Sequence, residues 1–213
     1  MSTRTAGLLL AVAFFATTAA GCRSAAPSPY STPSEVSRST VEAEALSRKG
    51  ADLVEEEPER AEAVLREAIT KDLYYGPAHN NLGVLYLKQE KLYEAANEFE
   101  WARKLMPGHP DPRVSLGITL ELAGKVAEAF ASYGAALEVW PNYLPAVQGI
   151  ASLAVRQRSN DERLPLWLQE IAIQSSDPSW RDWALAQAGR RTAEAPGPTA
   201  PVDGVERSTS RSH

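Results

Sequence analysis

The chain has 213 residues but only one cysteine and three histidines. A single cysteine excludes an intramolecular disulfide, so packing must hold the fold together. His79 and His109 have no second histidine or cysteine at ligand spacing, and we therefore expect no metal site. The net charge of −5 lacks the excess of positive charge that nucleic-acid binding requires, so we expect no nucleic-acid partner.

The sequence also lacks the motifs of the common enzyme classes. It contains no glycine-rich phosphate loop, no zinc-protease motif and no nucleophile elbow. The acidic run Glu55–Glu57, followed by Glu59, is typical of a solvated turn rather than of a catalytic carboxylate pair. We therefore expect a protein that is not an enzyme and that uses no cofactor.

The five tryptophans leave two interpretations open. They are Trp101, Trp140, Trp167, Trp180 and Trp183. Tryptophans at helical spacing beside leucines favour core positions over a cage that stacks a ligand. Trp180 and Trp183 are also compatible with an exposed interface.

What the chain does have is a recurrence at a fixed interval, since Gly83 and Gly117 begin two segments whose pattern repeats every 34 residues. Small, large and helix-breaking residues recur in register: Gly83, Tyr86, Ala95, Phe99, Ala102 and Pro107 return as Gly117, Leu120, Ala129, Tyr133, Ala136 and Pro141. A period of this length predicts stacked helix–turn–helix units, in which these positions pack the helices together.

The pattern within one unit predicts two helices that cross closely. Apolar residues follow helical spacing over Pro77–Leu87 and again over Leu92–Leu105. Gly83 and Ala95 are small, which lets the two helices approach. Pro107 disfavours helix at the residue before it and so ends the second helix.

These residues resemble the tetratricopeptide repeat family, in which Leu-Gly-x-x-Tyr is followed by Ala, Phe, Ala and Pro. The match runs from Leu82 to Pro107 and, less fully, from Leu116 to Pro141. The resemblance implies an all-α fold: a short right-handed superhelix (α-solenoid) of about four repeats plus a C-terminal capping helix. We expect this domain to cover 40–190, with repeats at about 43–75, 76–109, 110–143 and 144–176 and the cap helix at 178–190.

The flanking repeats follow the pattern less strictly. Gly50, Ala61 and Ala68 predict an earlier repeat whose turn is one residue shorter. Downstream, Arg163 and Glu170 stand where small residues belong, which indicates a degenerate repeat that closes the stack. Asp177 followed by Pro178 then predicts the start of the final helix.

The N-terminus predicts export and a lipid anchor. Residues 1–21 combine a short basic start, an apolar run and small residues, which is the layout of a secretory signal peptide. Cys22 directly after them resembles the lipobox of bacterial lipoproteins, which implies acylation at Cys22 and insertion of the lipid into a bilayer. The alternative is a plain signal peptide with an incidental cysteine. Arg23, in place of an aspartate, favours the outer membrane, facing the periplasm.

Two segments flank the predicted helical domain. Residues 22–39 are rich in Ser, Pro and Thr and are expected to form a flexible tether behind the lipidated cysteine. Residues 191–213 are polar, contain Pro and Gly, and are expected to be a disordered tail.

The resemblance further implies that the first helix of each repeat lines a concave groove for a partner protein. The positions that carry over are Asn80, Val84, Leu87, Lys88, Val114, Ile118, Glu121, Gln148, Ser152, Val155 and Arg156. An aliphatic strip with a polar rim suits an extended segment or an amphipathic helix. Alternatively, several of these side chains pack within the superhelix.

One known use of such grooves is absent here. Repeats that grip the C-terminal carboxylate of cytosolic chaperones use a clamp of lysines, asparagines and an arginine. Asn81 matches that clamp, but its other positions are occupied by Ser47, Ala51, Asp111 and Ser115.

The expected function is a lipid-anchored scaffold or adaptor in the cell envelope, for example in assembling a pilus or secretin machine. The alternative is an adaptor that delivers substrates to envelope proteases or peptidoglycan enzymes.

Overall fold

The computed structural model describes residues 39–194, and this part of the chain contains nine α-helices and no strand. They are α1 (Thr40–Leu53), α2 (Pro58–Lys71), α3 (Gly76–Lys88), α4 (Leu92–Leu105), α5 (Asp111–Leu122), α6 (Val126–Val139), α7 (Leu144–Arg156), α8 (Leu164–Gln174) and α9 (Pro178–Glu194). The predicted signal peptide, Cys22 and most of the tether and tail lie outside the described residues.

The helices form four antiparallel pairs that stack in chain order. Within each pair the first helix packs against the second: α1 on α2, α3 on α4, α5 on α6 and α7 on α8. The first helices also contact one another, α1 with α3, α3 with α5 and α5 with α7. Because the first helices stand side by side, they form one continuous face. The predicted all-α superhelix is confirmed, and α9 packs on α8 as its cap.

Prolines and left-handed residues mark the ends of the helices. A proline occupies the first turn of α2, α3, α5, α7 and α8, where its missing N–H needs no partner. Glu90, Gly124 and Arg158 follow α3, α5 and α7 with positive φ angles. After α3, the Lys91 N–H reaches back to the Tyr86 carbonyl at 2.9 Å. These are Schellman-type ends, and they recur at the repeat period although only one of them is a glycine.

The closest helix contacts join a glycine of a first helix to a large side chain of a second helix. A β-carbon at Gly83 would come within 2.7 Å of the Phe99 ring, and one at Gly117 within 2.6 Å of the Tyr133 ring. Gly50 has the same relation to Leu65, at 2.5 Å. The close approach therefore follows from the aromatic or leucine side chain lying on the glycine, rather than from two small residues facing each other.

Most positions of the recurring pattern are buried. The set with little or no exposure comprises Gly50, Ala61, Ala68, Gly83, Tyr86, Ala95, Phe99, Ala102, Gly117, Ala129, Tyr133 and Ala136. Leu120 is half-buried. Pro107 and Pro141 differ from the packing positions, since both are exposed, each two residues beyond the end of a helix. Their contribution is to stop α4 and α6, because proline cannot donate the next helical hydrogen bond.

The C-terminal end is more helical than expected. Asp177 accepts a hydrogen bond from the Ser179 N–H at 2.8 Å, as an N-cap does. Helix α9 continues to Glu194, past the expected end at 190, so the first residues assigned to the tail belong to the helix. Arginine, alanine and glutamate favour helix. The first proline in this stretch is Pro196.

Candidate functional site: the concave groove

Helices α3, α5 and α7 present the predicted groove residues on the face where the first helices meet. Their exposure divides them into three groups. Lys88, Ile118 and Arg156 are exposed; Asn80, Val84, Leu87, Glu121, Gln148, Ser152 and Val155 are half-buried; and Val114 is buried. A partner therefore meets a surface whose apolar part is narrower than the sequence suggests.

The accessible apolar surface is centred on α5. Val84 and Leu87 pack partly against the core of the first repeats, and Val114, only 7% exposed, belongs to the core of the later ones. Ile118 is 40% exposed, and Leu122, one turn further along α5, is 63% exposed. Leu122 was not among the predicted residues, although its i+4 spacing from Ile118 places it on the same side of the helix.

A chain of polar contacts ties α5 to α7 beside this strip. Arg156 forms an ion pair with Glu121, and Glu121 also accepts a hydrogen bond from the Tyr133 hydroxyl at 3.2 Å. Burial, and then the neighbouring charge of Glu121, raises the pKa of the Tyr133 phenol well above its usual range. The phenol therefore stays protonated and acts as a donor, which holds Glu121 facing Arg156.

In the amino-terminal half of the groove, polar side chains of α3 pair with residues of the first repeat. Asn81 Nδ2 donates to Ser47 Oγ at 3.0 Å, which links α3 to α1. Lys88 forms an ion pair with Glu55 at 2.6 Å. Asn80 Oδ1 is buried without a hydrogen-bond donor among the described residues, an uncommon state for a polar atom. Asn81, the one residue that matches the carboxylate clamp, is thus engaged in joining the first two repeats.

A pocket of about 340 Å³ lies where α7 meets the start of α9. Its lining consists of Ser152, Arg156, Ser179, Trp180 and Trp183. The two indole rings meet edge to face, with centroids 5.4 Å apart and planes at 82°. Both are half-buried and pack on the core of the later repeats. The predicted groove residues Ser152 and Arg156 therefore line the same pocket as Trp180 and Trp183. For these two tryptophans the sequence was compatible with either a core position or an exposed interface.

The remaining tryptophans divide between the core and the surface. Trp167 is buried under the Arg163 guanidinium, whose carbon is 4.9 Å from the ring centroid. Trp101 and Trp140 are 42% and 58% exposed, so the core assignment is wrong for these two. Trp101 on α4 stacks on His79 of α3. Trp140 directly follows the last residue of α6, and its ring contacts that of Tyr143.

His79 is buried, and both of its ring nitrogens contact polar groups of neighbouring segments. Its Nδ1 lies 2.7 Å from Glu98 Oε2, and its Nε2 lies 3.0 Å from the Leu73 carbonyl. Among residues 39–194, no group of three or more His, Cys, Asp or Glu side chains is arranged to hold a metal ion. Within the same range, no helix has the length and apolar character needed to cross a bilayer.

Comparison with known proteins finds similarity in structure only. No protein-family model and no curated protein sequence matches the chain. The first TPR domain of Spaghetti (RPAP3), bound to the HSP90 peptide SRMEEVD, superposes with a TM-score of 0.55 at 19% identity, over 58% of this chain and 99% of that domain. MamA gives 0.53 at 18% identity, over 71% and 81%. The Sgt2 TPR domain from Aspergillus fumigatus gives 0.54 at 17% identity, over 58% and 83%. The chain has the tetratricopeptide-repeat fold.

Proposed function

We propose that this protein is a lipid-anchored scaffold of the bacterial cell envelope that binds a partner protein in its concave groove. The observation that carries the proposal is the open apolar strip of Ile118 and Leu122 on α5, the helix that also supplies Glu121 to the ion pair with Arg156. Exposed apolar side chains in a concave surface with a polar rim are typical of sites that hold a protein segment.

The comparisons support a binding role and also limit it. One neighbour is bound to an HSP90 peptide, and the second TPR domain of human RPAP3 to an HSP70 peptide. In this chain Ser47 and Asp111 occupy clamp positions, and Asn81 is engaged with Ser47. A negatively charged Asp111 repels a carboxylate. The groove therefore suits a partner that is anchored by apolar contacts rather than by a terminal carboxylate.

The proposed location follows from the N-terminal segment. A signal peptide over 1–21 and a lipid on Cys22 put the repeats outside the cytoplasm and at a membrane, with the outer membrane favoured. The class of process that we propose is the assembly of an envelope machine such as a pilus or a secretin. Delivery of substrates to envelope proteases or peptidoglycan enzymes is the other outcome that the experiment distinguishes.

The test is a pull-down with the detergent-solubilised full chain carrying Ile118→Asp and Leu122→Asp. Both side chains are exposed, so two carboxylates there leave the fold intact but make the strip unsuitable for apolar contacts. A matched control is Tyr93→Asp, at an exposed position on α4. We expect the unmodified chain and the control to recover a secretin or pilus component that the double variant loses. Recovery of a protease or cell-wall hydrolase instead supports the second role, and undiminished recovery by the double variant overturns the groove as the binding site.

A further inference from the structure

We propose that the pocket between α7 and α9, lined by Ser152, Arg156, Ser179, Trp180 and Trp183, binds an uncharged, extended, proline-containing segment of the partner protein. This proposal rests on the scaffold function and names the chemistry that one end of the groove recognises. It also separates the two kinds of partner segment that the sequence leaves open, an extended one and a helical one.

The charge of the pocket favours an uncharged segment. Arg156 is the one charged residue of the lining, and its guanidinium already pairs with Glu121 on α5. The pair as a whole is neutral, so an acidic segment gains little at Arg156 and is repelled by Glu121. A lysine or arginine side chain of a partner is repelled by the Arg156 guanidinium, which is the charged group in the pocket lining. A neutral segment carries neither cost.

The hydrogen-bonding groups of the pocket favour an extended segment over a helix. A guanidinium has five N–H donors, and each indole has one donor and no acceptor. The ion pair with Glu121 involves only Nη2 of Arg156, and neither indole nitrogen hydrogen-bonds to another described residue. These donors are therefore available to bind the carbonyl oxygens of a partner segment. A helix uses its own carbonyls internally, whereas a polyproline II segment has no internal hydrogen bonds and leaves its carbonyls open.

The two indoles supply the apolar part of the site. Their edge-to-face arrangement, with planes at 82°, leaves an angled aromatic surface rather than a flat one. Aromatic-lined grooves dock the rings of proline-rich segments, which already have the bound backbone conformation and so lose little entropy on binding. The serine hydroxyls of Ser152 and Ser179 stand at the polar margin of the same pocket.

The test uses a peptide of ten prolines as the probe and follows the indole N–H signals of the tryptophans by NMR. We expect the peptide to shift the signals of Trp180 and Trp183 and to leave that of Trp140 in place, since Trp140 lies at the opposite end of α7. A glycine–serine peptide of equal length and an amphipathic helical peptide serve as comparators. No movement of the Trp180 and Trp183 signals at millimolar decaproline overturns the proposal, as does tighter binding of the helical peptide at this pocket.

Two variants test the residues of the pocket. Trp183→Leu removes one aromatic face, and Arg156→Gln removes the charged donor at an exposed position where folding is not at risk. Each is expected to raise the Kd for decaproline at least about tenfold. Trp140→Leu is the matched control and should leave the Kd unchanged. If Arg156→Gln and Trp183→Leu both bind decaproline as the unmodified chain does, the pocket is not the site. In that case a partner still lost by the Ile118 and Leu122 double variant leaves the scaffold function standing without this specificity.

Discussion

The ring of Phe99 lies directly on Gly83, close enough that a β-carbon at residue 83 would come within 2.7 Å of Phe99 Cε1. Both residues are buried, so neither can move towards solvent to relieve the contact. The Tyr133 ring has the same relation to two glycines, Gly117 on α5 and Gly149 on α7. Glycine is thus required at these positions by the close approach of an aromatic ring.

Gly83→Ala is expected to lower the free energy of unfolding by about 1–3 kcal/mol, because the added methyl overpacks the contact with Phe99. Alanine favours helix over glycine, so the helical propensity alone predicts the opposite sign. Gly134→Ala is the matched control, since a β-carbon at this helical position in α6 meets nothing within 4 Å. The control is expected to stabilise by about 0.5–1 kcal/mol. Urea unfolding measures both, and equal shifts in the two variants would contradict the role of Phe99.

Tyr133→Ala is expected to destabilise by about 3–5 kcal/mol, because it leaves a cavity between α5 and α7 where the buried ring was. The matched control is Tyr93→Ala on the exposed face of α4, with a change within about 0.5 kcal/mol. Thermal unfolding followed by circular dichroism compares the two. Similar melting temperatures for both variants would refute the packing of Tyr133.

Glu90→Gly is expected to stabilise the fold by up to ~1 kcal/mol. Glu90 has a φ of 58° after α3, a left-handed conformation that costs a non-glycine residue roughly 1–2 kcal/mol. The greater freedom of glycine in the unfolded chain offsets about 0.5–1 kcal/mol of this gain. Glu94→Gly, inside α4, is the control and should destabilise by about 1 kcal/mol. Chemical denaturation of the two variants gives opposite signs if the turn has the observed geometry.

Alkaline pH is expected to weaken the fold partly through Tyr143. Burial, followed by the hydrogen bond to Asp111, raises the pKa of Tyr143 to about 12. Since the unfolded pKa is about 10, the phenol's contribution to stability is complete below about pH 10 and is lost as the pH rises through about 12. Tyr143→Phe should therefore lose less stability than the unmodified chain between about pH 10 and about pH 12. Equal losses in denaturant unfolding would show that Tyr143 has an ordinary pKa.

Lipidation is predicted at Cys22, the single cysteine of the chain. Mass spectrometry of the mature N-terminus should find cleavage before Cys22 and acyl chains on that residue. Cys22→Ser is expected to lose the acyl mass and to leave the membrane fraction. An unmodified N-terminus at another residue would remove the anchor from the proposed function and leave the groove unaffected.

The sequence predicted the helix pairs well because their determinants are local. The spacing of apolar residues fixes each helix, and Pro107 stands two residues past the end of α4. The left-handed turns after α3 and α7 were not predicted, because the local sequence there lacks the glycine that usually marks such a turn. Glu90 and Arg158 carry no glycine signal, and only the Schellman hydrogen bonds of the folded turn reveal them.

Exposure was the property that the sequence predicted least reliably. Helical spacing shows which residues share a face, but whether a face is covered depends on the neighbouring helix. Val114 is therefore buried within the expected groove, and Trp101 and Trp140 are exposed within the expected core.

The sequence by itself determined the all-α repeat architecture, because a 34-residue period of small, large and breaking residues, with helical spacing inside each unit, is met by stacked helix pairs. Only the tertiary structure decided where that stack offers a site. Arg156 and Trp180 lie on different helices, with the whole of α8 between them in the chain, and they line one pocket because α8 packs against both α7 and α9. Such a pocket is a non-local property, since it depends on how helices pack and not on how each one forms.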